Sequence, residues 1–244
     1  MDLLRLICFV SFLLASLAIG LRLLWLARKS RQVPELAVAV AFLAGGFLGY
    51  GLVVLWSAKL VPPDAIRVCQ LASLVAIDLG AMAMALFTFR VFRPEEPLAL
   101  LALAVLGMLL GMGLLCLWLA PGGDPAPIAR ELSFWGTTTG TLLAYGWASS
   151  ESFAFYAVMR RRRRVGLGDP LVTNRLLLWG ISWSSSALIS AIYIAVHLSG
   201  QRRALGPVVS IVSSILILVA ALGAWLAFFP PAPYRRRIAV PTEA

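Results

Sequence analysis

Two carboxylates sit where carboxylates are costly. Asp78 and Glu151 each interrupt a long apolar run. An ionisable group in hydrocarbon costs at least about 2.5 kcal/mol. Such residues face a bundle interior, pair with a neighbour, or mark the route of a ligand or ion. Asp78 lies twelve positions before Arg90, and Glu151 nine before Arg160. At about 1.5 Å per helical residue, Asp78 is near mid-membrane and Glu151 is within about 14 Å of a basic segment. Two roles stand open for each acid: a structural hydrogen bond to an adjacent helix, or function.

Hydroxyls accompany the acids at helical spacing. Thr137, Gly140, Ala144 and Trp147 share the face of Glu151, with Ser133 one period earlier. Further on, Arg175, Ser182, Ser186, Tyr193 and His197 fall within an arc of about 60°. Ser210, Ser213 and Ser214 follow. Polar groups inside a bilayer must satisfy one another or water. A polar seam is therefore expected, with Asp78, Thr137, Glu151, Arg175, Ser182, Ser186 and Tyr193 as the candidate intramembrane site. The plainer alternative is that the hydroxyls bond their own backbone and act as modest glue between helices. His197 lies near a membrane boundary, where a single histidine needs no special role, though it is also the one side chain suited to sensing pH.

Other chemistry is not supported. Cys8, Cys69 and Cys116 form no CxxC pair, and the chain has one histidine. Metal and haem sites draw on several such ligands, so no cofactor is expected. No nucleophile with a base, metal cage or phosphate loop is visible, so the chain is not expected to be an enzyme.

The elements that must position these residues follow from composition. The chain has 244 residues, 61% hydrophobic and 13% charged, whereas a soluble domain is about half apolar and about a quarter charged. A water-soluble core of this size cannot hold that excess. Apolar runs of roughly 20 residues read as membrane helices. Charged or Pro/Gly-rich breaks divide the chain into seven of them, at about 3–26, 34–56, 64–92, 97–120, 128–159, 170–198 and 206–229. The expectation is an all-α membrane protein, a single seven-transmembrane-helix bundle, with 230–244 as a short basic tail. Helix 1 begins with too little positive charge, and its apolar stretch is too long, for a cleaved signal peptide.

Net charge is +10. Because the basic residues lie between apolar runs, they point to membrane orientation rather than to nucleic acid. One side collects Arg22, Arg28, Lys29, Arg31, Arg90, Arg93, Arg160 to Arg164, Arg175 and Arg235 to Arg237. These are fifteen of the 21 basic residues. The positive-inside rule then predicts an external N-terminus and a cytoplasmic C-terminus. Trp25, Trp56, Trp118, Trp135 and Trp225 fall near span ends, as interfacial anchors do. The run Arg160, Arg161, Arg162, Arg163 and Arg164 is also a candidate contact for anionic lipid heads or a partner's acidic surface.

Small residues recur at spacing four: Gly45 and Gly49, Gly107 and Gly111, Gly136 and Gly140. These predict close helix packing within the chain, with a homo-oligomer interface as the alternative. No internal repeat and few interior prolines appear, so the broken helices of a transporter are not evident.

Topology alone is similar to that of rhodopsins. They hold retinal on a lysine in the last helix, yet the lysines here are Lys29 and Lys59, outside helix 7. Sugar transporters of the three-plus-one-plus-three type share the topology but carry intramembrane prolines in paired helices, which are missing. The stretches YGWASSESFAFYAVMRRRRRVGLGDPLVTNRLLLWG, from Tyr145 to Gly180, and GLRLLWLARKSRQVPELAVAVAFLAGGFLGY, from Gly20 to Tyr50, resemble a group of uncharacterised bacterial seven-helix membrane proteins. Together they cover about a quarter of the chain. The resemblance implies no activity. It directs attention to Glu151, Asp169, Asn174 and Arg175. Asp169-Pro170 reads as a helix cap followed by a first-turn proline, and Arg175 is placed to pair with Glu151 across helices.

The resulting expectation is a multi-pass protein of the bacterial inner membrane. It would be a receptor- or sensor-like binding module acting through a separate cytoplasmic partner, since only about fifteen residues come after helix 7. The alternative is a small transporter or permease using Asp78 and Glu151.

Overall fold

A computed structural model describes residues 3–119 and 127–239. The chain is all-helical, 90% helix with no strands among the described residues. Among the described residues there are eight helices: α1 (Leu3–Ser30), α2 (Val33–Ser57), α3 (Ile66–Phe92), α4 (Pro97–Trp118), α5 (Pro127–Arg164), α6 (Pro170–Ser199), α7 (Arg202–Phe228) and α8 (Ala232–Ala239). Six of them, α1 to α4, α6 and α7, are long and apolar enough to cross a membrane.

α5 is the exception, for a physical reason. It is the longest helix, at 38 residues. Its buried face carries Ser133, Thr141, Ser149, Glu151 and Ser152 among glycines and alanines. Packed between α3, α4 and α6, it mixes these hydroxyls and the terminal arginines with exposed apolar residues such as Ile128, Leu143 and Val158. In the six apolar helices, Leu14, Leu21, Leu100, Met108, Ile211 and Leu222 are all more than half exposed, while Ser16, Asp78, Thr88, Ser182 and Ser214 are buried. This inside-out arrangement suits a hydrocarbon solvent.

Helices α1, α2, α3, α5, α6 and α7 close into a ring, each packed on the next, and α4 lies outside it against α3 and α5. Glycines set the closest approaches. A Cβ on Gly80 of α3 would stand 2.5 Å from Cα of Gly45 in α2, and one on Gly136 of α5 would stand 2.7 Å from Cα of Gly113 in α4. A Cβ on Gly140 would meet Leu110. The glycine spacing thus serves contacts within the chain at these sites, whereas Gly111 faces open space.

The helices depart from the sequence reading at two ends and in one interior. The five arginines expected in a loop form the last turns of α5. Charged side chains at a helix C-terminus meet the negative end of its dipole, so the helix continues past the apolar span. The basic tail expected after Pro230-Pro231 contains α8, and residues 240–244 lie outside the described set. Within α2, Ala41–Gly49 adopts π geometry. The wider turn coincides with Gly45, Gly46 and Gly49, which lack the side chains that would resist it. As expected, Asp169 caps α6, its Oδ1 accepting from the Leu171 amide at 2.7 Å, with Pro170 in the first turn. Most of the PGGDPAP breaker falls outside the described residues.

Candidate functional site

The ring encloses a cavity of about 280 Å³. Its walls come from the start of α1 (Cys8, Phe9, Phe12), the π segment of α2 and the turn after it (Phe42, Gly46, Tyr50), α5 (Thr137, Thr138, Thr141, Tyr145), α6 (Trp183, Ser186, Ser190, Tyr193) and α7 (Ser210, Ser213, Ser214). All lie toward the end of the bundle away from the arginine-rich segments, here termed the cavity end. Most of the lining is apolar or aromatic, and its polar members are neutral hydroxyls. Thr141 and Ser190 share a hydrogen bond of 3.1 Å across α5 and α6. The Ser213 hydroxyl and the Trp183 indole N–H are buried without a partner. A buried polar group normally has one, so these two are exceptions beside the cavity.

Asp78 stands behind this wall. Thr137 lines the cavity and donates from Oγ1 to Asp78 Oδ2 at 3.3 Å. Asp78 is 6% exposed, and its second oxygen has no partner. Three sequence-predicted residues therefore line the cavity, Thr137, Ser186 and Tyr193, and Asp78 reaches it through Thr137.

The remaining predicted residues lie elsewhere. Glu151 sits toward the opposite, arginine end. Its Oε1 accepts from Arg93 Nε at 2.9 Å and from Trp147 Nε1 at 3.4 Å. Arg93 also contacts Glu96 at 2.6 Å. Glu96 first, and Glu151 second, push the Arg93 guanidinium above its already high ordinary pKa. The expected pairing of Glu151 with Arg175 does not form. Arg175 donates from Nε to the Ala227 carbonyl at 3.2 Å, capping the end of α7. Helix C-termini leave carbonyls unsatisfied, and a guanidinium supplies what they need. Ser182 donates to the Leu178 carbonyl of its own helix at 2.8 Å. The single seam expected from helical faces is thus split between two ends of the bundle. Facial angle says which way a residue points, but not how far along the membrane its partners lie.

Between the ends runs an aromatic column. Tyr145, on the cavity wall, stacks on Trp183 at 5.6 Å with ring planes 5° apart. Trp183 meets Phe42 at 5.7 Å, Phe42 meets Phe228 at 6.2 Å, and Phe228 meets Trp179 at 5.6 Å. The series continues through Phe87 and Phe92 to Phe155. Ile19 and Met84, fully buried, pack beside it.

Sequence reading missed the roles of Tyr50, Tyr145 and the α1 and α2 walls, because apolar helices advertise no polar face. It also missed Glu131. This residue pairs with His197, accepts from Trp135 Nε1 at 2.8 Å, and ties α5 to α6 at the cavity end. The His197 ring stacks on Phe134 at 4.2 Å. Arg160, Arg161, Arg162 and Arg164 are exposed at the end of α5 and Arg163 is partly covered.

Comparisons with protein-family models, curated proteins and solved structures gave no match for this chain, so the site is read from its own geometry.

Proposed function

We propose that the protein is a receptor-like binding module of the bacterial inner membrane. It takes a small, mostly apolar molecule into the cavity and reports its presence to a separate cytoplasmic partner. α5 crosses the bilayer with the six apolar helices, making seven spans. The positive-inside rule then sets the cavity end outside and the arginine end in the cytoplasm.

The observation that carries this reading is a cavity whose wall continues into the aromatic column. Ligand sites are concave, largely apolar and fitted with a few polar groups. At about 280 Å³ this one stands just below the usual range of roughly 300–1,000 Å³, so its occupant is smaller than a typical drug. Hydroxyls without nearby cations favour an uncharged molecule with one or two hydrogen-bonding groups. A ligand pressing on Tyr145 or Trp183 bears directly on rings that reach Phe228. Tightly packed interiors transmit such displacements. Separation of the two acids counts against a shared permeation path, since Glu151 is already held by Arg93.

The test is extraction of the protein from its native membranes, followed by mass spectrometry of bound small molecules. Wild type is compared with Ser190→Trp, which fills the cavity from α6. A small molecule enriched on wild type and lost from the variant is the expected result. Recovery of the same molecules from both proteins counts against the cavity as a binding site. Liposome flux of the identified molecule, abolished by Asp78→Asn, would instead establish a transporter.

A further inference from the structure

A second cavity, of about 490 Å³, opens at the arginine end between α1, α6, the end of α7 and α8. Three guanidiniums line it: Arg22, Arg175 and Arg235. No carboxylate lines it, and among the described residues no acid pairs with any of the three. Arg22 donates from Nη1 to the Phe228 carbonyl at 2.6 Å and lies over the Phe229 ring at 4.5 Å. Arg175 uses Nε on the Ala227 carbonyl. Each guanidinium carries five N–H donors in a planar fork, so each keeps most of its donors after capping α7. Arg235 is brought in by α8, which is tethered through Asn174 Nδ2 donating to Tyr234 Oη at 3.0 Å. Three like charges around one cleft repel one another. A stable cleft of this kind calls for an anion.

From this geometry we infer that the cleft binds phosphate, either the phosphate of an anionic lipid headgroup or that of a soluble phosphorylated compound. Guanidinium forks match phosphate oxygens in a bidentate way. Basic pockets between membrane helices take up anionic headgroups. The apolar floor of the cleft, with Phe228 and Phe229, suits the junction of headgroup and acyl chain. Its three arginines are exposed, as most of the α5 run are, but they differ in lining one concavity. It does not depend on what fills the cavity at the other end.

The experiment uses the full chain in two arms. In the first, protein is reconstituted with phosphatidylcholine alone or with added phosphatidylglycerol or cardiolipin, then released for native mass spectrometry. In the second, lipid-stripped protein in detergent is melted with inorganic phosphate or with chloride at equal ionic strength. The key variant is Arg235→Gln, which leaves both α7 caps intact. Arg236→Gln with Arg237→Gln is the control, removing more charge from α8 but none from the cleft. Anionic-lipid adducts on wild type, weakened about fivefold or more by Arg235→Gln and less than about twofold by the control, are expected from the loss of one charge-assisted contact. Thermal protection by inorganic phosphate that Arg235→Gln removes, without lipid adducts, keeps the site and makes the source soluble. Absence of both effects overturns the inference, as does a control that loses as much as Arg235→Gln.

Discussion

The two ends of the bundle handle buried polarity in opposite ways. On the cavity wall the polar groups are neutral, several are unpartnered, and they surround space. Around Glu151, toward the arginine end, they are charged and held by paired side chains. Asp78 and Glu151 make the contrast concrete, since both are acids in helical spans with similar burial, 6% and 8% exposed. Glu151 has a guanidinium and an indole N–H on one oxygen, whereas Asp78 has one hydroxyl. Residue type and burial therefore do not separate a structural acid from one belonging to a site. The partner does.

The sharpest way to break the comparison is to damage the α2–α3 contact beside the cavity wall. Gly80→Val places a branched side chain where even a bare Cβ would stand 2.5 Å from Gly45 Cα. Overpacking of this kind costs about 1–3 kcal/mol, occasionally more. Unfolding in mixed micelles should show that loss, together with loss of any cavity ligand. Gly111→Ala, facing open space, should stay within about 0.5 kcal/mol of wild type. Equal losses in the two variants would mean that the α2–α3 approach does not shape the cavity end.

The acids come next. Glu151→Gln removes the charged partner of Arg93 and should cost about 1.5–3 kcal/mol, toward the lower end because Arg93 is 39% exposed. Asp78→Asn keeps an acceptor for Thr137 and should cost less than about 1 kcal/mol. The same unfolding series reads both. A larger loss at Asp78 than at Glu151 would reverse the assignment of structural and site roles.

Legibility in the sequence followed the same divide. Apolar runs and proline breaks marked every long helix, because bilayer thickness imposes span length. The Asp169 cap and the glycine contacts were readable because each depends on neighbours a few residues away or on a small residue's own geometry. The partner of Glu151 was not readable. Arg93 lies 58 positions away at the end of another helix, and no periodicity within α5 points to it. The π segment was hidden for a related reason, since AFLAGGFLG is apolar on every face and carries no periodicity that a wider turn could disturb. α5 fell short of an apolar span because its lining role, rather than lipid, set its composition.

The smallest expected effect concerns hydroxyl pairs, one in each half. Thr141 and Ser190 share a hydrogen bond of 3.1 Å on the cavity wall. Ser149 and Ser184 share one of 2.6 Å in packed surroundings, where Ser149 also donates to the Gly180 carbonyl at 3.1 Å. Interhelical hydrogen bonds in membranes average about 0.6 kcal/mol in double-mutant cycles. Both pairs join α5 to α6, and in each the α5 hydroxyl also reaches a backbone carbonyl, Thr138 for Thr141 and Gly180 for Ser149, so the chief difference is the surroundings. On the cavity wall, water or ligand can replace a lost partner, which lowers the coupling. In the packed half nothing can. Cycles built from Thr141→Val with Ser190→Ala, and from Ser149→Ala with Ser184→Ala, should give the larger coupling for the serine pair. Equal couplings would mean that the cavity wall is as closed to water as the packed half, and that its hydroxyls serve helix association rather than an occupant.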